Sequence, residues 1–383
     1  MAAVHALRTL QTNKTPFAIR SGGHSMNPGV SSTSDGVVIN LSKLNAITVD
    51  KARGTVTLGT GSRWGPVHRT LEEQGYAVAG GRGSSVGVGG FSLGGGFSFF
   101  LYRHGFSCDN IVAYEVVTAA GDVLAVSADS HPELFVALKG SGAPFVLVLS
   151  FTYKLIPLHD PTGLVYGGSI SSGARSIPAV MQRLAEFASS GAEQDPDTHV
   201  LLYVLYMLNP ENADAVTPIA FDYLFYPRPL ESPPAALKPL FDAHNSELIT
   251  SSLGNRKISS ITDEVVAQGD GMRHTMLQWT IVDPTVDVVA EMERITREEV
   301  QALLRILPQA AVSLLLVPVT ASTLAAGSKN VLGLEKGRNY LSIGYTGMLG
   351  SESDDPVFFE ALRTAKRRCE DYLKRTGHWS PWV

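Results

Sequence analysis

Gly80-Gly81-Arg82-Gly83-Ser84-Ser85-Val86-Gly87-Val88-Gly89-Gly90-Phe91-Ser92-Leu93-Gly94-Gly95-Gly96 carries nine glycines in seventeen residues, and Arg20-Ser21-Gly22-Gly23-His24-Ser25 precedes it as a second cluster. Successive residues without side chains let backbone N–H groups converge on one concavity, and such a nest binds anions, a pyrophosphate above all. Ser21 and Ser25 add hydroxyl donors. Positive side chains are few in both runs, so the main chain supplies most of the field. Two common nucleotide motifs fail on residues. A Gly-x-Gly-x-x-Gly fingerprint starting at Gly87 needs glycine where Ser92 stands, and a Walker loop needs Lys-Ser/Thr where Gly96-Phe97 follow Gly95. The bland alternative is a set of glycine turns in an all-β protein. A histidine between small residues and two separate clusters argue against it.

Outward from these clusters, the 383-residue chain has a globular composition: 44% hydrophobic, 17% charged, net charge −5. That length allows about two domains. The charge offers no basic surface for nucleic acid, and no apolar run is long enough to span a bilayer. Two cysteines, Cys108 and Cys369, make neither a metal-ligand spacing nor a disulfide framework.

Up to about Pro157 the chain reads as short strands and turns. Strands are predicted over Gly36–Leu41, Ala46–Asp50 and Thr55–Gly59. A helix over Trp64–Gln74 places Trp64, Val67, His68 and Leu71 on one face and is closed by Gly75. Ile111–Thr118 and Val123–Val126 form a hairpin about Ala120-Gly121-Asp122. Ser130 reads as the cap of the next helix, with Pro132 in its first turn and Glu133 completing a capping box. Beyond Pro157-Leu158-His159-Asp160-Pro161 glycine thins and elements lengthen. Helices are expected over Ala174–Ser189, Thr285–Ile306 and Asp355–Thr376, and strands over His199–Leu208, Ile219–Tyr226 and Met272–Val282. This mixture is α+β.

The stretch from Pro16 to about Leu158 resembles the FAD-binding domain of the vanillyl-alcohol oxidase, or p-cresol methylhydroxylase, superfamily, and is most similar to the fungal berberine-bridge-enzyme-like oxidases. The resemblance rests on Phe17–Ser25, Val86–Gly96, Tyr102-Arg103-His104-Gly105-Phe106-Ser107-Cys108-Asp109-Asn110 and His131–Gly140. It implies a two-subdomain FAD-binding domain over residues 1–158, then an α+β substrate domain with an antiparallel sheet over residues 159–383. It implies that Arg20, Ser21, Gly22, Gly23, His24, Ser25, Val86, Gly87, Gly89, Gly90, Gly94, Gly95, Gly96, Asp109 and Asn110 line the FAD. It also implies a bond from a ring nitrogen of His24 to the 8α-methyl carbon of the flavin. Imidazole is a competent nucleophile for that bond; the alternative is a buried histidine satisfying backbone groups. Some relatives add a second bond from a cysteine, but Gly83 stands at that position, so a single link is expected. Cys108 reads as a packed residue. Val86 stands where side-chain bulk affects oxygen access in relatives, with ordinary packing as the alternative. The resemblance implies that Asp109-Asn110 lies along the FAD; the alternative is an Asx-type turn in which Asp109 fixes its own backbone, and the two roles are compatible.

The pattern breaks in places. Relatives carry a glycine-rich turn after Gly140, where this chain has Ser141-Gly142-Ala143-Pro144-Phe145-Val146. Relatives begin with a signal peptide and a strand-helix unit, and continue past the last helix with a tyrosine-containing strand. The expectation is a chain shortened at both ends, its N-terminus giving no support to the secretion that the family suggests.

The expected function is oxidation of a small organic substrate (alcohol, sugar, alkaloid or polyketide) in secondary metabolism, by hydride transfer to the flavin, with oxygen as electron acceptor. Tyr203, Tyr206, Tyr223, His274 and Tyr340 are candidates for the base, none assignable from sequence, and Trp279 is a candidate pocket residue. The rivals are an inactive FAD-binding relic, a dehydrogenase serving another acceptor, and, more distantly, a nicotinamide enzyme.

Overall fold

A computed structural model describes residues 2–26, 29–142, 145–209, 212–266 and 273–381. The chain forms two compact units. The first holds Met1–Leu164, Arg256–Gln268 and Ala326–Gly333; the second holds Val165–Asn255, Gly269–Ala325 and Leu334–Val383.

In the first unit, Phe17–Arg20 and Val37–Asn40 pair in parallel, Ile19 opposite Ile39. The helix Ala2–Thr12 packs Val4, Leu7 and Leu10 into a core with Ile39, Leu41, Val117 and Leu147. Its apolar side recurs every three to four residues, which is what makes a helix bury one stripe. A five-stranded antiparallel sheet lies beyond, in the order Ile47–Asp50, Thr55–Gly59, Leu147–Lys154, Ile111–Val117, Val123–Ser127. The Ile111–Val123 hairpin forms as read, with Val117 opposite Val123.

The helix Trp64–Glu72 buries Trp64, Val67, His68 and Leu71, the face read from the sequence. Trp64 is fully buried, with Phe91 and Tyr153 edge-on to its ring at 5.3 and 5.8 Å. Gly80 and Gly81 pass so close to the indole that a Cβ on either would lie 2.5 or 2.4 Å from it. Part of the glycine run is therefore spent on packing a large ring rather than on any ligand. At the other end of this helix, buried Glu72 accepts the Ser259 N–H at 3.0 Å and the Ser259 hydroxyl. It thereby seats the start of the helix Ile258–Val266, itself part of the first unit, against the end of Trp64–Glu72.

One cap differs from expectation. The helix Pro132–Ala137 is preceded by His131 in the left-handed region, φ 58°, and Ser130 instead donates its hydroxyl to the Ala125 carbonyl. The sharp turn at His131 carries Ser130 away from the helix end, so the capping box does not form.

The second unit is built on an antiparallel sheet of nine strands among the described residues. Its central strands, in order, are Leu164–Ser172, Asn212–Tyr226, His199–Asn209, Ala311–Val319, Tyr340–Leu349 and Arg273–Val282. The helix Val286–Ile306, capped by Thr285, lies on one face beside Ile177–Glu186 and Asp355–Thr376. Tyr206 donates to Glu293 of that helix at 3.2 Å, and Thr296 and Tyr345 share a hydrogen bond at 3.0 Å. These bonds identify the helix-covered face of the sheet. The mixture of helices and antiparallel sheets is the α+β architecture expected.

Candidate functional site

The two glycine clusters meet. A Cβ built on Gly22 would lie 2.5 Å from the Cα and N of Gly87, and one on Gly87 would lie 2.4 Å from the Gly22 nitrogen. Only glycine permits that approach. Ser21 ties the same junction: its hydroxyl donates to the Thr60 carbonyl at 2.6 Å and accepts the Gly89 N–H at 3.2 Å. Gly89 is itself hemmed in by Thr60 and Ser21, at 2.6 and 2.9 Å from a Cβ. Arg20 ends the strand Phe17–Arg20, and its side chain lies beneath Gly23, which adopts φ 70°.

Beyond this tight seam the surface opens. Gly23, His24 and Ser25 are exposed, as are Gly90 and Gly94 one turn apart on the short helix Val88–Leu93 and its end. A Cβ on Gly90 would meet nothing within 4 Å. Gly90 is thus a glycine that the protein's own packing does not demand. Exposure also removes the alternative reading of His24 as a buried histidine. Its Nε2 lies 3.3 Å from the Ser85 hydroxyl. Val86 is half-buried, and Gly83 is buried at the position where a second cysteine link would stand.

A third segment, not singled out in the sequence, joins the two clusters. Trp64 and Gly65 donate their N–H groups to the Val86 and Ser84 carbonyls at 3.0 and 2.9 Å, and Val88 donates to Ser62 at 2.9 Å. Arg63 donates to the Gly22 carbonyl at 3.0 Å and to the Ser85 carbonyl. The signal was present as Thr60-Gly61-Ser62-Arg63, a run of small residues between a strand and a helix.

Gly95 and Gly96 belong to a second turn, both with positive φ. Their carbonyls accept the Cys108 and Ser107 N–H groups at 2.9 Å each, so this turn packs on the single helical turn Ser107–Asn110. Asp109 is buried. One carboxylate oxygen accepts the Phe106 N–H at 2.9 Å; the other accepts Ser328 at 3.0 Å and Asn330 at 2.9 Å. Asn110 donates to the carbonyls of His104 and Phe106. Both side chains thus brace the turn; for Asp109 this is the Asx-type role weighed from sequence. Lys139, also buried, donates to Ser328 at 2.9 Å; burial pushes its ammonium below the ordinary lysine range, while the Asp109 carboxylate opposes that shift. Leu332 covers both Gly95 and Gly140. Cys108 is a free, buried thiol whose pKa burial pushes up, as a packed residue should be. Ala143 and Pro144 lie outside the described residues; Gly142 beside them donates to the Leu93 carbonyl at 2.9 Å with φ 73°.

Ser92 explains why the dinucleotide fingerprint fails. It is fully buried, donates to the Val88 carbonyl at 2.6 Å and accepts the Tyr153 hydroxyl at 2.5 Å. Since Tyr153 spends its proton there, Ser107 must donate to Tyr153 at 3.0 Å. The relay holds the helix Val88–Leu93 against the sheet, with Gly90 facing out.

In the second unit, Tyr206, Tyr223 and Tyr340 are buried; Tyr206 serves Glu293 on the helix side and Tyr340 accepts the Glu335 N–H at 3.1 Å. Trp279 is not a pocket residue. It is buried against Tyr345 at 4.9 Å on the helix-covered face, five residues from His274 and therefore on the opposite side of their strand. Tyr203 and His274 are half-buried. Among the described residues there is no cluster of metal-ligating side chains, and no helix is long and apolar enough to cross a membrane.

Two glycine clusters packed main chain to main chain beside an exposed imidazole, with Gly23, Gly90 and Gly94 open to solvent, leave backbone free for a ligand. The comparisons place the chain in a family. The FAD binding domain family matches residues 2–127. The FAD-dependent monooxygenase drtC of Aspergillus calidoustus is 35% identical over 252 residues, 65% of this chain and 45% of that protein. The FAD-dependent monooxygenase FUP4 of Fusarium proliferatum is 32% identical over 397 residues, 98% of this chain and 73% of that protein. The chain thus spans less than half of one relative and about three-quarters of the other. The fold is similar to that of berberine bridge enzyme from Eschscholzia californica, TM-score 0.70 at 17% identity, covering 99% of this chain and 74% of that one. The chain belongs to the FAD-linked oxidoreductase family with the berberine-bridge-enzyme-like fold.

Proposed function

We propose that the protein is a flavoenzyme that oxidises a small organic substrate and holds its FAD by a single covalent bond to His24. The observation that carries this reading is the junction of Gly22 with Gly87, which brings an exposed imidazole and outward-facing Gly23 and Gly90 to one seam. The residues present fit a dinucleotide: Gly23, Gly90 and Gly94 present backbone without side chains, and Ser25 offers a hydroxyl beside them. Arg20, Ser21, Gly87 and Gly89 build the seam, while Gly95, Gly96, Asp109 and Asn110 hold the adjoining turn. When bound, FAD would supply the hydride-accepting ring and an 8α-methyl carbon; bonding of that carbon to a ring nitrogen of His24 would release one proton from each atom and two electrons in all, for which oxygen would be the oxidant and hydrogen peroxide the product.

The chain's own contribution is orientation and electrostatics. His24 would tether the ring, and the exposed backbone of Gly23, Gly90 and Gly94 would meet the dinucleotide. Oxygen is the proposed acceptor for turnover as well. The names of the fungal relatives favour a second reading, insertion of one oxygen atom into the substrate. Peroxide equal to substrate consumed supports the oxidase; little peroxide with label from oxygen gas in the product supports the monooxygenase.

The deciding experiment is acid precipitation of the purified protein, an absorbance spectrum of the pellet, and the mass of the His24 peptide. Flavin in the pellet on that peptide is the expected result. Colourless protein that takes up no added FAD would overturn the reading.

A further inference from the structure

We propose that Arg63 and Ser85 are positioning residues for His24, Arg63 clamping the two segments that flank it and Ser85 fixing the rotation of its ring. This deepens, and rests on, the reading of His24 as the flavin-bearing residue.

His24 is exposed, so its orientation depends on polar contacts more than on packing. Its first torsion has three staggered wells and its second is broad, so without a partner the ring samples several directions. A reacting nitrogen must instead be presented along one line, and a displacement of about 1 Å costs on the order of a hundred-fold in rate. One such contact comes from a different segment. The Ser85 hydroxyl lies 3.3 Å from His24 Nε2, which distinguishes one ring nitrogen from the other and opposes a flip.

Ser85 can serve only if its own segment is held at a fixed distance from Gly22-Gly23-His24. Arg63 does this. One arm of its guanidinium donates to the Gly22 carbonyl at 3.0 Å, two residues before His24. Another donates to the carbonyl of Ser85 itself. A closed circuit results: Arg63 to Gly22, along the chain to His24, across to Ser85, and back to Arg63. Gly23, in the left-handed region at φ 70°, makes the bend that lets the circuit close. A guanidinium suits the task because its planar fork presents several donors in fixed directions, whereas an ammonium is a point charge on a flexible stem. Arg63 is itself anchored at the head of the helix Trp64–Glu72, where its neighbours Ser62 and Trp64 bond to Val88 and Val86.

The test follows covalent attachment separately from binding. Purified wild type and the variants Ser85→Ala, Ser85→Thr, Arg63→Lys and His24→Ala are incubated with added FAD. Flavin in the acid pellet and in the supernatant is measured against time, with a thermal midpoint for each protein. Ser85→Ala is expected to fill with FAD and melt like wild type but to attach it on the order of ten-fold more slowly, and Ser85→Thr to restore the rate. Arg63→Lys is expected to slow attachment as well. A merely structural role would lower the midpoint or the total FAD and would not divide pellet from supernatant. Attachment by Ser85→Ala at the wild-type rate overturns the inference and leaves the His24 reading standing. A wild-type pellet without flavin, or a labelled pellet from His24→Ala, overturns both.

Discussion

Gly22 and Gly87 touch main chain to main chain, so the seam between the two glycine clusters has no room for a methyl group on either side. Alanine at either position is expected to force the segments apart and destabilise the fold by about 1–3 kcal/mol, with FAD retention falling in step. Gly90 separates packing from binding. A methyl there meets no protein atom within 4 Å. Gly90→Ala should therefore leave the melting temperature of FAD-free protein unchanged and weaken FAD binding. Titration of each variant with FAD, beside thermal melts, checks this; Gly90→Ala binding FAD as wild type does would remove Gly90 from the cofactor surface.

His68 ties stability to pH. It is fully buried, and its Nε2 lies 2.9 Å from the Gly81 carbonyl, to which a neutral ring donates. Burial pushes its pKa down from 6.5 to about 4, the Gly81 carbonyl opposing. The unfolded chain thus takes up a proton that the folded chain refuses. Stability attached to neutral His68 is complete above about pH 6.5 and lost as pH falls towards 4, by up to about 3 kcal/mol. His68→Gln can still donate to Gly81 and does not titrate. Denaturant unfolding of both proteins at pH 7 and pH 4.5 should show wild type losing more stability than the variant; parallel losses would exclude His68 as the source.

Legibility in the sequence followed local physics. The strands Thr55–Gly59 and Ile111–Val117 and the helices Trp64–Glu72 and Asp355–Thr376 were readable, because turn residues punctuate them or a helical period repeats in them. Ala311–Val319 was not readable. Eight of its nine residues are buried, so its apolar run carries no alternation. The strand Asn212–Tyr226 extends well before Ile219, where the predicted strand began, and runs through Pro218. Its neighbour Leu164–Ser172 pairs only with residues 220–226, leaving Pro218 at an open side of the ladder where no donor is needed. Within the site, glycine and His24 stood out by composition. Arg63, Ser85, Tyr153 and the Ser328–Leu332 segment did not, because their roles arise from contacts between residues far apart in the chain.

Tyr153 should show cooperativity with Ser92. The proton relay from Ser107 through Tyr153 to Ser92 and the Val88 carbonyl is wholly buried. Tyr153→Phe strands the Ser107 hydroxyl and is expected to cost about 1–2 kcal/mol. Ser92→Ala removes the acceptor and frees Val88 from its bond. In a double-mutant cycle the two losses should fall short of additivity by about 1 kcal/mol, since each breaks the same link. Strict additivity in denaturant unfolding would mean that the relay contributes nothing as a unit.

Asp109 is the hub on which the Gly95–Gly96 turn and the Ser328–Leu332 segment both depend. Its carboxylate satisfies the Phe106 N–H, the Ser328 hydroxyl and the Asn330 amide, and it faces a buried Lys139 ammonium that already sits below its ordinary pKa. Asp109→Ala leaves three donors without an acceptor and a buried cation without its counter-charge, a loss of about 3–5 kcal/mol. Asp109→Asn keeps one carbonyl oxygen for these donors and should lose less. Pairing Asp109→Ala with Lys139→Met removes the stranded cation too. The double variant should therefore be more stable than Asp109→Ala alone, although it carries one more substitution. Denaturant unfolding of the four proteins measures this directly; a double variant weaker than Asp109→Ala would show that Lys139 is held by Ser328 and the Phe135 ring, 4.3 Å away, rather than by the carboxylate.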